Sequence, residues 1–524
     1  MGNAKNKIEL DIIVRDAGVI DGSGGKSYRS DVGVRRGRIA ALGDLSRARS
    51  RRTIRAPGCF LAPGFIDIHS HSDYSLLIDP RAESKVRQGV TTEAVGNCGS
   101  SAAPLYGMKR ARAKVQNRSL SIDWFTLGGY RRRLAEEGTA VNVAALTGHG
   151  NLRGSVIGYD SRPASRVEMK RMLSLLDKSL EEGSRGLSTG LIYPPGIYAG
   201  FRELRDLAAL AARRGGIYTT HMRSESAGVE EAVAEAIRVA ETAGVSLQIS
   251  HLKTQGRKNW HRIDGCFRRI ESARSRGVDV HCDRYPYTAS STDLDILLPD
   301  WTYEGGPDAE ISRLSDPRLR DRIKRGIVWT DWKAAVISRL SGKKNRWMEG
   351  KSLAQVARRR RQSPSDCLLD ILKEEKLGIE ALFFSMSEEN LRRILSRPYC
   401  MVGSDASAKS TRGPLSGGKP HPRAFGAFPR ALREFAGRGI LSWEEAVHKM
   451  TGLPAYKLGL LDRGAIRTGA AADLVVFDPK TIADRATYAE PHRYPDGIEY
   501  VIVNGEIVVE KGRHTGRLPG KFLA

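Results

Sequence analysis

The sequence predicts an α/β fold: a (β/α)8 TIM-like barrel, a small β-rich domain built from both chain ends, and a long insertion after barrel strand 7. Three observations predict it. The middle of the chain alternates apolar strand runs with amphipathic helical patterns, the signature of βα units around a parallel sheet. About eight such runs occur, as a barrel needs. The two ends of the 524-residue chain share a texture of short strands and tight turns that the middle lacks. On this basis 1–60 and 460–524 form the small domain, 61–459 the barrel, and 292–397 the insertion.

The amino-terminal strands are Leu10–Val14, Asp31–Arg35, Arg38–Leu42 and Thr53–Arg55, punctuated by Asp21-Gly22-Ser23-Gly24-Gly25 and Arg36-Gly37-Arg38. At the far end Asp473–Phe477 and Tyr500–Val503 read as strands, and Asn504-Gly505 signals a hairpin before Glu506–Val509. Barrel strands are expected at Phe65–Asp73, Val90–Cys98, Val141–His149, Gly186–Tyr193, Ile217–Arg223, Leu247–Lys253, Val278–Tyr287 and Cys400–Asp405. Helices intervene at Arg166–Glu182 and at Val229–Ala243, the latter stopped by Gly244. The connection from Ser291 to Arg397 far exceeds an ordinary βα loop of about 2–6 residues. Helical segments are expected within it at Trp332–Ser341, Ser352–Arg361 and Pro364–Glu374, and its place in the chain makes it a candidate lid.

Composition narrows the class. Hydrophobic content of 40% and charged content of 28% describe a globular chain, with no apolar run of membrane-spanning length. Met1–Lys7 lacks the apolar core of a signal peptide, and six scattered cysteines without a CxxC argue against a disulfide framework. A cytoplasmic protein is expected. Lys and Arg number 85 against 60 Asp and Glu, a net charge of +25. That excess is spread over Lys109–Arg118, Arg131–Arg133, Lys343–Arg346 and Arg358–Arg361. Without a nucleic-acid motif these runs read as solvated helix faces, so neither nucleic acid nor membrane is expected as a partner.

The chemistry gathers at strand ends, where barrel enzymes keep it. His69 and His71 are one residue apart and so share a strand face. Further along, strand runs end at Cys98, His149, His221, His251 and Asp405. One such histidine would ordinarily be a packed rim residue. Five histidines, a cysteine and an aspartate on one rim are a set that suits a metal, zinc above all.

These residues resemble the amidohydrolase superfamily: His-x-His on the first strand, histidines ending strands five and six, an aspartate ending strand eight. Many members carry a carboxylated lysine on strand four, yet Gly186–Tyr193 holds none. Gly96-Asn97-Cys98-Gly99 is similar instead to the D-aminoacylase (N-acyl-D-amino-acid deacylase) branch, where a cysteine takes the lysine's place. Ser250-His251-Leu252-Lys253, Tyr285–Thr292, His421-Pro422-Arg423 and Gly426–Arg430 extend the resemblance over nearly the whole chain.

What the resemblance implies is specific. Cys98, His221 and His251 would hold one zinc tightly; His69, His71 and Asp405 would frame a second, weaker position. Asp405 would double as general base and then general acid. Lys253, Tyr285 and Arg423, with a contribution from Ser291, would hold the α-carboxylate of a small N-acylated amino acid. Relatives that take acidic substrates carry an arginine near Leu297; here Leu297, with Asp293 and Asp295 close by, favours an apolar side chain. Two rivals remain: a hydantoinase- or dihydroorotase-like cyclic amidohydrolase, and a basic nucleic-acid-binding protein using the barrel as scaffold. The sequence leaves the oligomeric state open.

Overall fold

The computed structural model describes residues 9–117 and 120–524; the Met1–Lys7 reading and the Arg118 end of the basic run lie outside them. Eight parallel strands form the centre: β1 (Phe65–Asp67), β2 (Val90–Val95), β3 (Asn142–Ala145, continuing at Thr147–Gly148), β4 (Gly186–Gly190), β5 (Ile217–His221), β6 (Ser246–Ile249), β7 (Val280–Arg284) and β8 (Cys400–Val402). Strands β1 to β3 pair in one sheet, and the second piece of β3 pairs with β4 and so on to β8 in another. Leu146, between the two pieces of β3, donates to Val95 O at 2.9 Å. At the opposite seam Ser70 and Ala406 form a parallel bridge, and Asp405 N donates to His69 O at 2.8 Å.

The strands are buried along their length, as parallel strands covered by helices must be. Their helices follow the sequence closely. Val229–Ala243 ends on Gly244 in the left-handed region, φ 66°, and Arg166–Glu181 starts from a Ser165/Glu168 capping box. Most of the expected strand runs exceed the observed strands by two to six residues, because the polar residues at their ends, His221 excepted, already belong to loops or turns. His149 is the clearest correction. It opens the helix His149–Val156 and does not end a strand.

The chain ends meet in one seven-stranded sheet, where Phe60–Pro63 pairs antiparallel with Leu474–Phe477. A four-stranded sheet built from Leu10–Arg15, Asp31–Arg35, Arg38–Gly43 and Ser50–Arg55 packs against it over Val14, Val34, Ile54, Leu474 and Ile502. The hairpin turn falls at Asn504-Gly505, with φ 49° and 83°.

The long connection after β7 has its own core, from Leu294 to Phe383, over a three-stranded sheet of Ala289–Asp293, Ile379–Phe384 and Ala335–Leu340. Two expectations need correcting. The segment Trp332–Ser341 holds the strand Ala335–Leu340 and no helix, because Val336 and Ile337 are β-branched and favour a pleated surface. The helix Glu388–Leu395 packs on β7 and β8 with Leu391, Ile394 and Leu395 in the core around the central strands, so the insertion's own core stops short of it. Among the described residues no helix is long and apolar enough to cross a membrane.

Candidate metal centre

The strand ends converge. Donor atoms of His69, His71, Cys98 and Asp405 lie within 4.8 Å of one another, and so do those of Cys98, His221 and His251. Cys98 belongs to both groups. Its Sγ is 3.3 Å from His69 Nε2 and 3.5 Å from His251 Nε2. Asp405 Oδ1 lies 3.1 Å from His71 Nε2 and 3.5 Å from His69 Nε2.

Backbone geometry delivers these atoms. Cys98, His251 and Asp405 all stand at positive φ, 51°, 35° and 51°, a region that side-chain-bearing residues seldom occupy. Three such positions at three strand ends are backbone strain of the kind that clusters at functional sites. Two glycines explain how Cys98 reaches its place. A Cβ on Gly190 would sit 2.1 Å from Cys98 O, and one on Gly99 would sit 2.6 Å from Gly190 N. The loop after β2 thus lies directly on the end of β4, and the thiol stands beside the strand that lacks a lysine.

Charge follows from the crowding. Burial pushes the Cys98 thiol up, but the His69 and His251 imidazoles overcome this and hold it well below its usual range. Burial also opposes ionisation of Asp405, yet Arg423 and the histidines keep it far below an ordinary carboxylate. His221, by contrast, is pulled down by burial, and among the described residues neither of its ring nitrogens has a hydrogen-bond partner, Glu225 Oε2 standing off at 3.8 Å from Nε2. A half-buried thiolate beside an unprotonated imidazole is a soft-borderline donor set, and it fits zinc.

Two acids behind the donors had escaped the sequence reading. Asp283, on β7, accepts from His69 Nδ1 at 3.0 Å, His251 N at 2.8 Å and Gln248 Nε2 at 2.9 Å. Glu225, after β5, lies 2.8 Å from His251 Nδ1 and pairs with Lys253 Nζ. Both hold a donor histidine by its far nitrogen, which fixes its tautomer and ring orientation. Their signal was a lone acid inside, or four residues past, an otherwise buried strand run.

The expected carboxylate-binding residues cluster on one side. Lys253 is 3% exposed, not solvated. Arg423 Nη1 is 2.8 Å from Asp405 Oδ2, and its Nη2 approaches Ser291 O at 3.5 Å. Ser291 therefore presents its carbonyl here. Tyr285 is fully buried with an unpartnered hydroxyl, its ring 4.4 Å from the Arg423 guanidinium. His421 anchors Arg423 by accepting from its backbone N at 3.0 Å. Tyr193 joins the set by packing edge-on against His221 at 4.9 Å, its hydroxyl 2.9 Å from that of Thr292. His149 instead pairs with Glu203 at 2.7 Å, outside both donor groups.

Fold and cluster together define a class: parallel α/β proteins whose strand ends carry a metal-type donor set. More particularly, a profile of the Amidohydrolase family matches residues 52–292 and 299–509, and this chain belongs to that family. It is 37% identical over 516 residues to an N-acyl-D-glutamate deacylase of Alcaligenes xylosoxydans xylosoxydans, covering 98% of this chain and 96% of that one. To a D-aminoacylase of the same organism it is 35% identical over 517 residues, covering 98% of each. Among solved structures it resembles the N-acyl-D-glutamate deacylase of Bordetella bronchiseptica in complex with zinc and a phosphonate mimic of the tetrahedral intermediate. There the TM-score is 0.85 at 35% identity, over 98% of this chain and 100% of that one. The kinship read from the motifs is borne out.

Proposed function

We propose that this protein is a zinc-dependent N-acyl-D-amino-acid deacylase, converting its substrate to a carboxylate and a free D-amino acid, on eight strands that close as a (β/α)8 barrel. The observation that carries the reading is the sharing of Cys98 between two donor groups. Cys98, His221 and His251 would hold the tighter zinc; His69, His71 and Asp405 would frame the weaker position. Zinc bound there supplies Lewis acidity and a water acidic enough to attack an amide at neutral pH. The seam bridge Ser70–Ala406 supports closure, and six free thiols suit a reducing cytoplasm.

Asp405 takes the proton of the attacking water and returns it to the departing nitrogen, without which an amine cannot leave. Arg423 keeps that carboxylate ionised until the water needs it. Arg423 supplies a planar fork for the substrate's α-carboxylate, Lys253 a point charge fixed by Glu225, and Tyr285 a free hydroxyl. Ser291 borders this pocket. Beyond Thr292, Leu297 favours an apolar side chain; Asp293 is exposed to solvent and adds no argument against an acidic one. The preference for D over L stereochemistry rests on kinship. A hydantoinase-like activity is less well supported, because β4 reads Gly-Leu-Ser-Thr-Gly and offers no lysine.

The test is turnover by the zinc-loaded protein of N-acetyl-D-leucine, N-acetyl-L-leucine, N-acetyl-D-glutamate and hydantoin, beside Asp405→Asn. N-acetyl-D-leucine should be the best substrate and the variant inactive. Hydrolysis of hydantoin alone overturns the deacylase reading; a preference for the glutamate derivative overturns the apolar assignment.

A further inference from the structure

We propose that Arg284 is a further positioning residue of the carboxylate pocket: a buried guanidinium without a counter-ion that, through the Tyr285 ring, makes the pocket demand an anionic head group. The proposal rests on the deacylase reading and names what selects its substrate class.

Arg284 ends β7 and is 1% exposed. Its Nε and Nη1 have no partner, while Nη2 donates only to Tyr287 O at 2.8 Å and approaches Met386 Sδ at 3.0 Å. Among the described residues no carboxylate lies within ion-pair distance of it. Several other buried cations are paired, Arg153 with Glu203 at 2.7 Å, Lys85 with Asp67 at 2.8 Å and Arg423 with Asp405 at 2.8 Å, whereas Lys449, which also lacks a carboxylate, donates to the carbonyls of Arg397 and Cys400. A buried charge with no counter-ion costs several kcal/mol, and proteins keep such a group where function requires it.

Its position gives the function. The Arg284 guanidinium lies 4.2 Å from the Tyr285 ring centroid, and that of Arg423 lies 4.4 Å from the same centroid. Two guanidinium groups thus grip one ring whose hydroxyl is buried and unpartnered. Burial pushes that hydroxyl up, yet Lys253, Arg284 and Arg423 together pull it below its usual value. Of the three cations about Tyr285, Lys253 is paired with Glu225 and Arg423 with Asp405, and among the described residues Arg284 alone has no carboxylate within ion-pair distance. A substrate carboxylate brings the missing negative charge; a neutral amide or ester does not.

The experiment compares Arg284→Met and Arg284→Lys with the parent protein. The Met variant should raise the KM for N-acetyl-D-leucine about tenfold with kcat changed less than about twofold, and Lys should restore most of the loss. By calorimetry the Met variant should weaken binding of D-leucine and leave that of D-leucinamide unchanged. Its melting temperature should hold or rise, because an uncompensated buried charge has been removed. Equal effects on the two ligands, no rescue by Lys, or a lowered melting temperature each overturn the proposal. Absence of turnover by the parent protein would instead strike at the deacylase reading, and the two-ligand calorimetry would still decide on Arg284.

Discussion

Two buried polar clusters are interleaved along the same strand ends, and they differ in how far each satisfies itself. In the first, Lys85 is fully buried, 2.8 Å from Asp67 and 3.0 Å from Glu93, and donates to Ser404 Oγ and Ala406 O. Ser404 donates in turn to Asp67, and Ser70 and Ser72 to Glu93. In the second, around Cys98 and Asp405, His221 has no partner for either nitrogen and Tyr285 none for its hydroxyl. The first network is nearly closed, with Glu93 Oε2 its one unpaired atom among those named, and such a network holds a fold; one whose central donors and acceptors stand unpaired is built for partners from outside the chain. The two are coupled, since Asp67 also takes a hydrogen bond from Ser404 N, next to Asp405.

Removing the centre of each cluster should break them in opposite ways. Cys98→Ala, which deletes the atom common to both donor groups, should lower kcat/KM by at least about a thousandfold and abolish stoichiometric zinc. Its melting temperature without zinc should stay near that of the stripped parent. Metal analysis, kinetics and thermal melts check this; retained zinc and activity would erase the distinction between the clusters. Lys85→Met should do the reverse. It leaves two buried carboxylates without their cation and should destabilise the protein by about 3–5 kcal/mol in urea unfolding. If Lys85→Met melts like the parent, the closed network is not what holds these strand ends.

A milder change sharpens the boundary. Asp283→Asn keeps the shape of the residue behind His69 but weakens its grip on Nδ1, and the expected loss is about 10- to 100-fold in zinc affinity. Competition with a chelator measures it. Unchanged affinity would assign Asp283 to the fold and not to the donor set.

The difference between the clusters also explains what could be read from the sequence. His69, His71, Cys98, His221, His251 and Asp405 were legible because each is a donor type at the polar end of an apolar run. The strand-end periodicity brings such residues to one rim whatever the loops do. Glu225 and Asp283 were not legible, because an acid's role behind a histidine depends on which ring nitrogen it meets. Lys85 was invisible for the same reason: in Ser84-Lys85-Val86 it looks like a surface lysine, and only tertiary pairing buries it. The strand Ala335–Leu340 failed differently. A short apolar run has no decisive period, and its pairing with Ile379–Phe384 decided it.

The smallest expected effect concerns a third buried cation, at the opposite end of the strands. Lys457 Nζ contacts Ser246 Oγ at 2.6 Å, Asp279 Oδ2 at 3.2 Å and His281 Nδ1 at 3.4 Å. Burial brings it down from 10.5 to about 8 despite the pull of Asp279. Between those values the unfolded chain still binds a proton that the folded protein has released, so stability rises with pH as proton uptake favours the unfolded state less and less. Relative to Lys457→Met, which cannot titrate, the parent should gain on the order of 1–3 kcal/mol as pH climbs from about 8 to 10.5. Urea midpoints of the two proteins across that window isolate the effect. A difference that stays flat, or falls, would mean that Lys457 keeps its proton in the folded state, and that its ion pair with Asp279 outweighs its burial as the Lys85 network does.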